Sequence, residues 1–313
     1  MVTLTQLEYI VAVNKYRHYG KAAEHCFITQ PTLSMQIKKL EEDLGVTIFD
    51  RNRQPLVPTK LGEEIIEQAR KTLREADKIN HVIDDHRKFV GGTIRIGIIP
   101  TLAPYLLPIF IGKFKRDYPK VNIKVEELFT DRIVDALHRD LIDIGILVTP
   151  LNEDKILERP IFYEEMKVYS HYEHPLNKHS QVRVQDINLP DIWLLSDGHC
   201  FRNQVINLCQ MKNNPQTRLP FEFEAGSLET LVKIIDNEGG LTLLPELAVD
   251  DMDERRQGRV KSFMMPVPLR EVSIVYSEYF SRDKIIDLLE KEISSCIPKH
   301  LLNQKRGMIV EWK

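Results

Sequence analysis

Apolar positions follow two regimes along the chain, with a change near residue 92. Before it, they recur at helical spacing; after it, short apolar runs alternate with helix-period stretches. Leu4, Leu7, Ile10 and Val11 predict a first helix, and a short second helix follows around Lys21 to Cys26. In "ITQPTLSMQIKKLEEDLG", Leu33, Ile37, Leu40 and Leu44 fall at i, i+4, i+7 and i+11, one apolar stripe of a third helix. Thr29 suits its cap, Pro31 its first turn and Gly45 its exit. "VTIFDRNRQPLVPT" then sets apolar residues around a turn-prone tip carrying Arg51 and Arg53, the pattern of a β-wing. Residues 1–58 therefore predict a winged helix-turn-helix.

From Thr59 to about Lys88 the pattern is one long helix. Leu61, Ile65, Ala69, Leu73, Ala76, Ile79 and Ile83 form a seam flanked by charges. A stripe so long and thin cannot bury itself in a small domain, and it predicts pairing with a second copy. "VGGT", Val90 to Thr93, predicts a hinge. Strand and helix patterns then alternate: "TIRIGIIP", "YLLPIFIGKFKRDYP", "VNIKVEEL", "DRIVDALHRDL", "DIGILV". The alternation continues through "IWLLSD", "SLETLVKIIDNEG" and "LTLLP" and closes on "EVSIVYS" and "KIIDLLEKEISSC". Repeated β-α-β order predicts an α/β fold with a mostly parallel sheet and helices on both faces. Residues 91–313 suffice for two such lobes with a cleft between them.

Composition changes this picture little. The 313 residues are 42% hydrophobic and 28% charged, as in an ordinary globular protein. The amino terminus lacks the pattern of a signal peptide, and no run reaches the roughly 18 apolar residues of a membrane span. The expectation is a cytoplasmic protein with no membrane contact. Net charge is -3; residues 1–90 hold 14 basic and 13 acidic side chains, or +1, so the remainder carries -4. A nucleic-acid reading must rest on where charges sit. Off its apolar stripe the third helix shows Gln30, Thr32, Ser34, Gln36, Lys38 and Lys39, with Pro31 in its opening turn. Gln, Ser and Thr read base edges and Lys contacts phosphate. Arg51 and Arg53 would reach the backbone or minor groove. The rival reading is a helical bundle with a solvated polar face.

"AAEHCFITQPTLSMQIKKLEEDLGVTIFDR" resembles the DNA-binding segment of LysR-type transcriptional regulators. The order of parts is similar too: winged helix over 1–58, linker helix over 59–90, two-lobed effector domain over 91–313. The resemblance implies a sequence-specific regulator of promoter operators with a periplasmic-binding-protein-like effector domain. It implies dimers through the linker helix, commonly tetramers, and RNA polymerase as a partner. Gln30, Pro31, Thr32, Ser34, Gln36, Lys38, Arg51 and Arg53 are the expected DNA-binding residues.

The cysteines are Cys26, Cys200, Cys209 and Cys296, with no CxxC among them. A reducing cytoplasm argues against a standing disulfide. In "DGHCFRNQVINLC", Asp197-Gly198 turns the chain and a helix is predicted from Cys200. A helix amino terminus and Arg202 both favour a thiolate, and His199 could add charge or a hydrogen bond. Cys209 follows Val205, Ile206 and Leu208, which read as buried. Nine residues of helix rise roughly 13 Å, whereas a disulfide needs Cα atoms within about 7 Å. The two sulfurs cannot join while the helix persists; if they do join, the segment must unwind. Two unrelated buried thiols are the rival reading.

Further pieces resemble the peroxide-sensing OxyR branch of the same regulators: "IPTLAPYLLP", "LSDGHCFRNQ", the eight-residue gap to Cys209, "SLETL" and "GGLTLLPELAV". This likeness implies Cys200 as peroxidatic thiol and Cys209 as resolving thiol, linked reversibly when hydrogen peroxide activates the regulator. Thr101, Thr130 and His199 would hold the peroxide, with Arg202 and Arg270 supporting the thiolate. Thr101 also follows a predicted parallel strand, where ligands gather in such sheets. No cofactor, no metal and no enzymatic turnover are expected; residues 1–88 would be superfluous in a thiol peroxidase. The alternative is a regulator of this architecture holding a small organic metabolite in its cleft. Cys26 and Cys296 read as structural, and His171, His174 and His179 as a solvated turn. The tail "NQKRGMIVEWK" has no assigned role.

Overall fold

The computed structural model describes residues 2–51, 53–86, 91–187, 189–209 and 223–312. The chain divides into two compact units. One comprises Met1–Val90 with His138–Leu141 and Ser277–Asp283; the other holds the rest.

The first unit is built on α1 (Leu4–Tyr16), α2 (Tyr19–His25) and α3 (Gln30–Leu44), then the hairpin β1 (Phe49–Asp50) and β2 (Val57–Pro58), then α4 (Lys60–His86). Local chemistry sets the helix ends. Thr3 and Gln6 form a capping box on α1. The Thr29 hydroxyl accepts from the Thr32 amide at the start of α3, and Gly45 leaves α3 at φ 68°, the left-handed exit that glycine makes without strain. Leu33, Ile37 and Leu40 are buried against Ile10, Val13, Ala22, Ala23, Ile48 and Phe49. Leu44, the fourth member of the predicted stripe, is exposed instead. Glu41 ties the wing to α3: one carboxylate oxygen accepts from the Ile48 and Phe49 amides, the other from Arg51 Nη2 at 2.7 Å. Of the predicted seam on α4, Ala69 is buried in the core and Ile65 packs against it, while Leu61 and Ile79 are exposed; the Ile83 side chain and Val90 lie outside the described residues. Gly92 and Thr93, predicted as hinge, already belong to a strand.

The second unit starts with β3 (Gly92–Ile98), α5 (Ala103–Asp117), β4 (Val121–Glu127), α6 (Thr130–His138) and β5 (Ile144–Thr149). β3 lies between β4 and β5, parallel to both. The long β6 (Ile156–Ser170) follows, then β7 (Gln181–Val182), α7 (Cys200–Leu208), α8 (Leu228–Glu238) and β8 (Leu241–Pro245). Short helices α9 (Glu246–Asp250) and α10 (Glu254–Gln257) lead to β9 (Val260–Phe263), β10 (Val267–Ser277), α11 (Asp283–Cys296) and β11 (Gly307–Ile309). Neighbours along the sheet run β4-β3-β5-β10-β6-β9-β7, with β8 also on β6 and β11 on β10.

The sheet is less parallel than predicted. β10 runs antiparallel to β5, and β6 antiparallel to both β8 and β9. Parallel neighbours need a long crossover, and no helix separates β5 from β6 or β9 from β10. Strand direction leaves no trace in an apolar run. "IWLLSD" is not a strand either. It makes isolated bridges, Ile192 to Leu241 and Leu195 to Ala225, and Trp193 O accepts from the Thr242 hydroxyl.

Close packing of α6 on the sheet depends on paired glycines. Gly97 of β3 faces Gly145 of β5 in register. A Cβ on Gly145 would stand 2.6 Å from Ile133 Cγ2 and 2.7 Å from Val275 Cγ2. Overpacking of this kind costs about 1–3 kcal/mol. Gly145→Val should lower unfolding stability by that amount in urea titrations; an unchanged midpoint would contradict this account of the helix–sheet contact.

Candidate functional site

The segment Asp197 to Cys209 folds as its pattern predicts. Gly198 turns the chain at φ 95°, and α7 begins at Cys200 with His199 as its cap residue. Cys209 closes the helix, its amide donating to Val205 O at 3.0 Å. The two sulfurs thus sit at opposite ends of one helix, and both are free thiols. Cys200 is buried and Cys209 half-buried.

The groups around Cys200 come from distant parts of the chain. Arg270, on β10, lies with its guanidinium 5.2 Å from the ring centre of Phe201 on α7. Its Nε donates to Glu164 on β6 at 2.7 Å, Nη1 to the Thr101 hydroxyl at 3.2 Å and Nη2 to Thr101 O at 3.3 Å. Arg270 and Glu164 are both fully inaccessible. The second Glu164 oxygen accepts from the Leu247 amide at the start of α9.

Burial pushes the Cys200 thiol above its ordinary range; the Arg270 charge, the Thr130 hydroxyl and the Phe201 amide pull the other way. This corrects the sequence expectation of a thiol activated by its helix terminus. Desolvation at 4% exposure is the largest influence, and the backbone amides at the helix start are among the smaller ones that oppose it. Burial alone pushes Cys209 up to about 11. Of the two expected arginines, Arg270 supplies the charge that favours the thiolate. Arg202 puts its guanidinium on Leu195 O at 3.0 Å and on the Asp197 carboxylate at 2.8 Å.

Thr101 and Thr130 occupy the carboxyl-end rim of the parallel strands. Thr101 follows β3 and Thr130 opens α6 after β4; both are buried. His199 is buried too, its ring edge-on to Phe129 at 4.8 Å between centres. Burial holds its imidazole below the usual histidine range, against a hydrogen bond to the Gly226 backbone. Thr130 Oγ1 favours the Cys200 thiolate yet makes no hydrogen bond of standard geometry, and His199 Nε2 has no partner among the described residues. Two buried polar atoms without partners are uncommon in a folded interior.

Sequence reasoning passed over Glu164, Phe201 and Phe129. Glu164 had a signal: it takes the buried register of β6 together with Phe162, Met166 and Val168. A carboxylate at a core position of an alternating strand needs a partner, and Arg270 is that partner.

On the other unit, Gln30, Pro31, Lys38 and Lys39 of α3 are exposed, and Thr32, Ser34 and Gln36 are half-buried. Lys38 lies 3.6 Å from Glu42, and Arg53 lies 3.4 Å from Asp50 at the wing. Two apolar side chains stand on the surface of the same helix-turn-helix: Phe27, 96% exposed in the turn at φ 56°, and Met35, 60% exposed on α3. Elsewhere, Cys26 packs against the core of its unit. Cys296 Sγ lies 3.6 Å from Glu292 Oε1. His174 Nδ1 accepts from the Leu176 amide and His171 Nδ1 from the Glu173 amide. No helix among the described residues is long and apolar enough to cross a membrane.

Comparison with known proteins accounts for both units. Residues 4–63 match the bacterial regulatory helix-turn-helix of the LysR family, and residues 87–288 match the LysR substrate binding domain. The hydrogen peroxide-inducible genes activator of Haemophilus influenzae is 33% identical over 275 residues, 88% of this chain and 90% of the relative. The DNA-binding transcriptional dual regulator OxyR of Escherichia coli is 33% identical over 276 residues, 88% of this chain and 89% of its own length. A full-length OxyR variant from Pseudomonas aeruginosa superposes with a TM-score of 0.76 at 33% identity, covering 95% of this chain and 99% of that one. The winged helix-turn-helix, the α/β effector fold and these matches agree, and the chain belongs to the LysR family of DNA-binding transcriptional regulators.

Proposed function

We propose that this regulator senses hydrogen peroxide at Cys200 and activates transcription when Cys200 and Cys209 become linked. The observation that carries this reading is the burial of Cys200 beside Arg270 and two unpartnered polar atoms, Thr130 Oγ1 and His199 Nε2. Hydrogen peroxide is small, and it both donates and accepts hydrogen bonds. It can satisfy a hydroxyl and a neutral imidazole together, whereas a bulky oxidant cannot reach a sulfur that is 4% exposed.

The chemistry runs in two steps. The Cys200 thiolate attacks one peroxide oxygen, the O–O bond breaks, and the departing hydroxide takes a proton to leave as water. Arg270 offsets part of the desolvation cost of the thiolate. The Cys209 sulfur then attacks the Cys200 sulfenic acid; a second water leaves and the disulfide remains. Helix α7 must unwind between these steps, because its length keeps the sulfurs apart. Thr101 serves this site by holding Arg270 in place, and Arg202 by fixing the turn at Asp197.

The unwound segment would change how effector domains of neighbouring copies meet, and α4 would carry that change to the recognition helices. Dimers form along α4 and assemble into tetramers. Gln30, Thr32, Ser34 and Gln36 read bases in the major groove, Pro31 fixes the helix entry, and Lys38, Arg51 and Arg53 contact the DNA backbone. RNA polymerase is the downstream partner, and the protein acts in the cytoplasm without catalytic turnover of its own.

Thiol mapping by mass spectrometry after sub-stoichiometric peroxide tests the reading. A Cys200–Cys209 link and a changed promoter footprint are expected, both lost in Cys200→Ser. Retained peroxide-dependent regulation in Cys200→Ser would overturn it. Removing both members of the buried ion pair in R270Q/E164Q avoids stranding one charge. The Cys200 thiol should then rise further, and its reaction with peroxide at pH 7 should slow. Stopped-flow rates across pH will report this; an unchanged profile would exclude Arg270 as the supporting charge. Lys38→Ala should weaken operator binding evenly across sequences and reduce the salt slope by about 1 in fluorescence titrations. A change confined to one base position would give Lys38 a reading role instead.

A further inference from the structure

The carboxyl-terminal tail touches both halves of the thiol site. β11 pairs in parallel with β10, Val267 to Gly307, Pro268 to Met308 and Leu269 to Ile309, and the Val310 amide donates to Leu269 O at 2.8 Å. The next residue of β10 is Arg270. On its other side the tail meets α7. Gln204 Nε2 donates to Val310 O at 2.7 Å, and Asn207 Nδ2 donates to Glu311 O at 3.0 Å. Gln204 is fully inaccessible. Val310 and Trp312 are buried, and the Trp312 indole donates to Pro150 O at 3.1 Å. The approach to β10 is tight: a Cβ on Gly307 would stand 2.2 Å from Val267 O.

These contacts fall on the middle and last turns of the helix between the two sulfurs. Gln204 and Asn207 sit three positions apart, on one face of α7. Both bonds run from a side chain of α7 to the backbone of the tail, so they exist only while α7 is helical and β11 is docked.

We propose that the tail, residues 307–312, is a latch on α7, with Gln204 and Asn207 as positioning residues that set the rate of disulfide closure. The inference rests on the sensor reading above and assigns a separate step to it. Oxidation of Cys200 by hydrogen peroxide, giving the sulfenic acid and water, takes place with the latch closed. Condensation with the Cys209 thiol, which forms the S–S bond and releases the second water, requires the latch to open. A structural role alone would leave the two steps equally affected; a latch separates them.

The test uses the full-length protein and hydrogen peroxide, with thiols quenched by an alkylating agent and mapped by mass at each time. Sulfenic acid formation is read in a Cys209→Ser background and disulfide closure in the native thiol pair. Asn207→Ala removes the bond to Glu311 O at an exposed site, Gln204→Leu removes the bond to Val310 O while keeping side-chain volume, and Gly307→Val pushes the strand off β10. Sulfenic acid formation should stay within about twofold of the unmutated protein. Closure should accelerate about fivefold per bond removed, the equivalent of about 1 kcal/mol per hydrogen bond. The thiol–disulfide equilibrium against glutathione should shift toward the oxidised form. Equal closure rates in Asn207→Ala and the unmutated protein would overturn the latch, even if the other two variants fail to fold. Absence of the Cys200–Cys209 bond in the unmutated protein would overturn the sensor reading instead. Hydrogen exchange then decides the latch by itself: α7 amides must exchange about fivefold faster in Asn207→Ala, and unchanged exchange excludes it.

Discussion

A guanidinium with no access to water needs every one of its contacts, and Arg270 is in that position. Its pairing with Glu164 is the constraint on which the site depends. Stripping one member of such a pair leaves an uncompensated charge, which costs several kcal/mol. The pair therefore fixes whatever its remaining atoms touch. Through Thr101 it fixes the loop after β3; through the Leu247 amide it fixes the start of α9; through the face of Phe201 it fixes the first turn of α7. Five segments, the two strands that carry the pair and the three it touches, are held to one another by two buried side chains. The thiol at the start of α7 inherits its electrostatic setting from that arrangement rather than from its own helix.

Two opposing effects meet at Cys200. Burial favours the neutral thiol, and the fixed positive charge favours the thiolate. Burial is the larger, and it holds the thiol above its ordinary range. Glu164 works against the thiolate by sharing the charge of Arg270, yet without Glu164 the arginine could not remain inside. The carboxylate is thus the condition for having any positive charge beside the sulfur.

What could be read from the sequence divides along physical lines. Caps, turns and helix faces depend on neighbours within a few residues, and Thr29, Gly45, Gly198 and the extent of α7 came out as their local patterns predict. Strand direction depends on connections, so the antiparallel placement of β6 and β10 was not legible in their apolar runs. "IWLLSD" has the composition of a strand, but the backbone of β8 takes it as an irregular neighbour. The thiol's surroundings illustrate the same limit. Arg202 stands two residues from Cys200 and turns to Leu195 and Asp197, whereas Arg270 stands seventy residues away and supplies the charge that favours the thiolate. Glu164 was visible as a charge in the buried register of an alternating strand, the kind of local inconsistency that marks a paired group. Its partner was not, because pairing across the sheet is a property of topology.

The length of α7 bears on how such a site can change state. Nine residues are too few for a helix to persist on backbone hydrogen bonds alone. Its persistence comes from outside: the buried side chains of Phe201 and Val205, the ring contact with Arg270, and the side-chain bonds of Gln204 and Asn207 to the tail. A long helix with its own cooperative stability would resist remodelling whatever happened at one sulfur. A short helix held by tertiary contacts can be helical with them and something else without them, at a difference of a few hydrogen bonds. The fold therefore places the two thiols on an element whose conformation is decided by its neighbours, and Arg270 and the tail strand are among those neighbours.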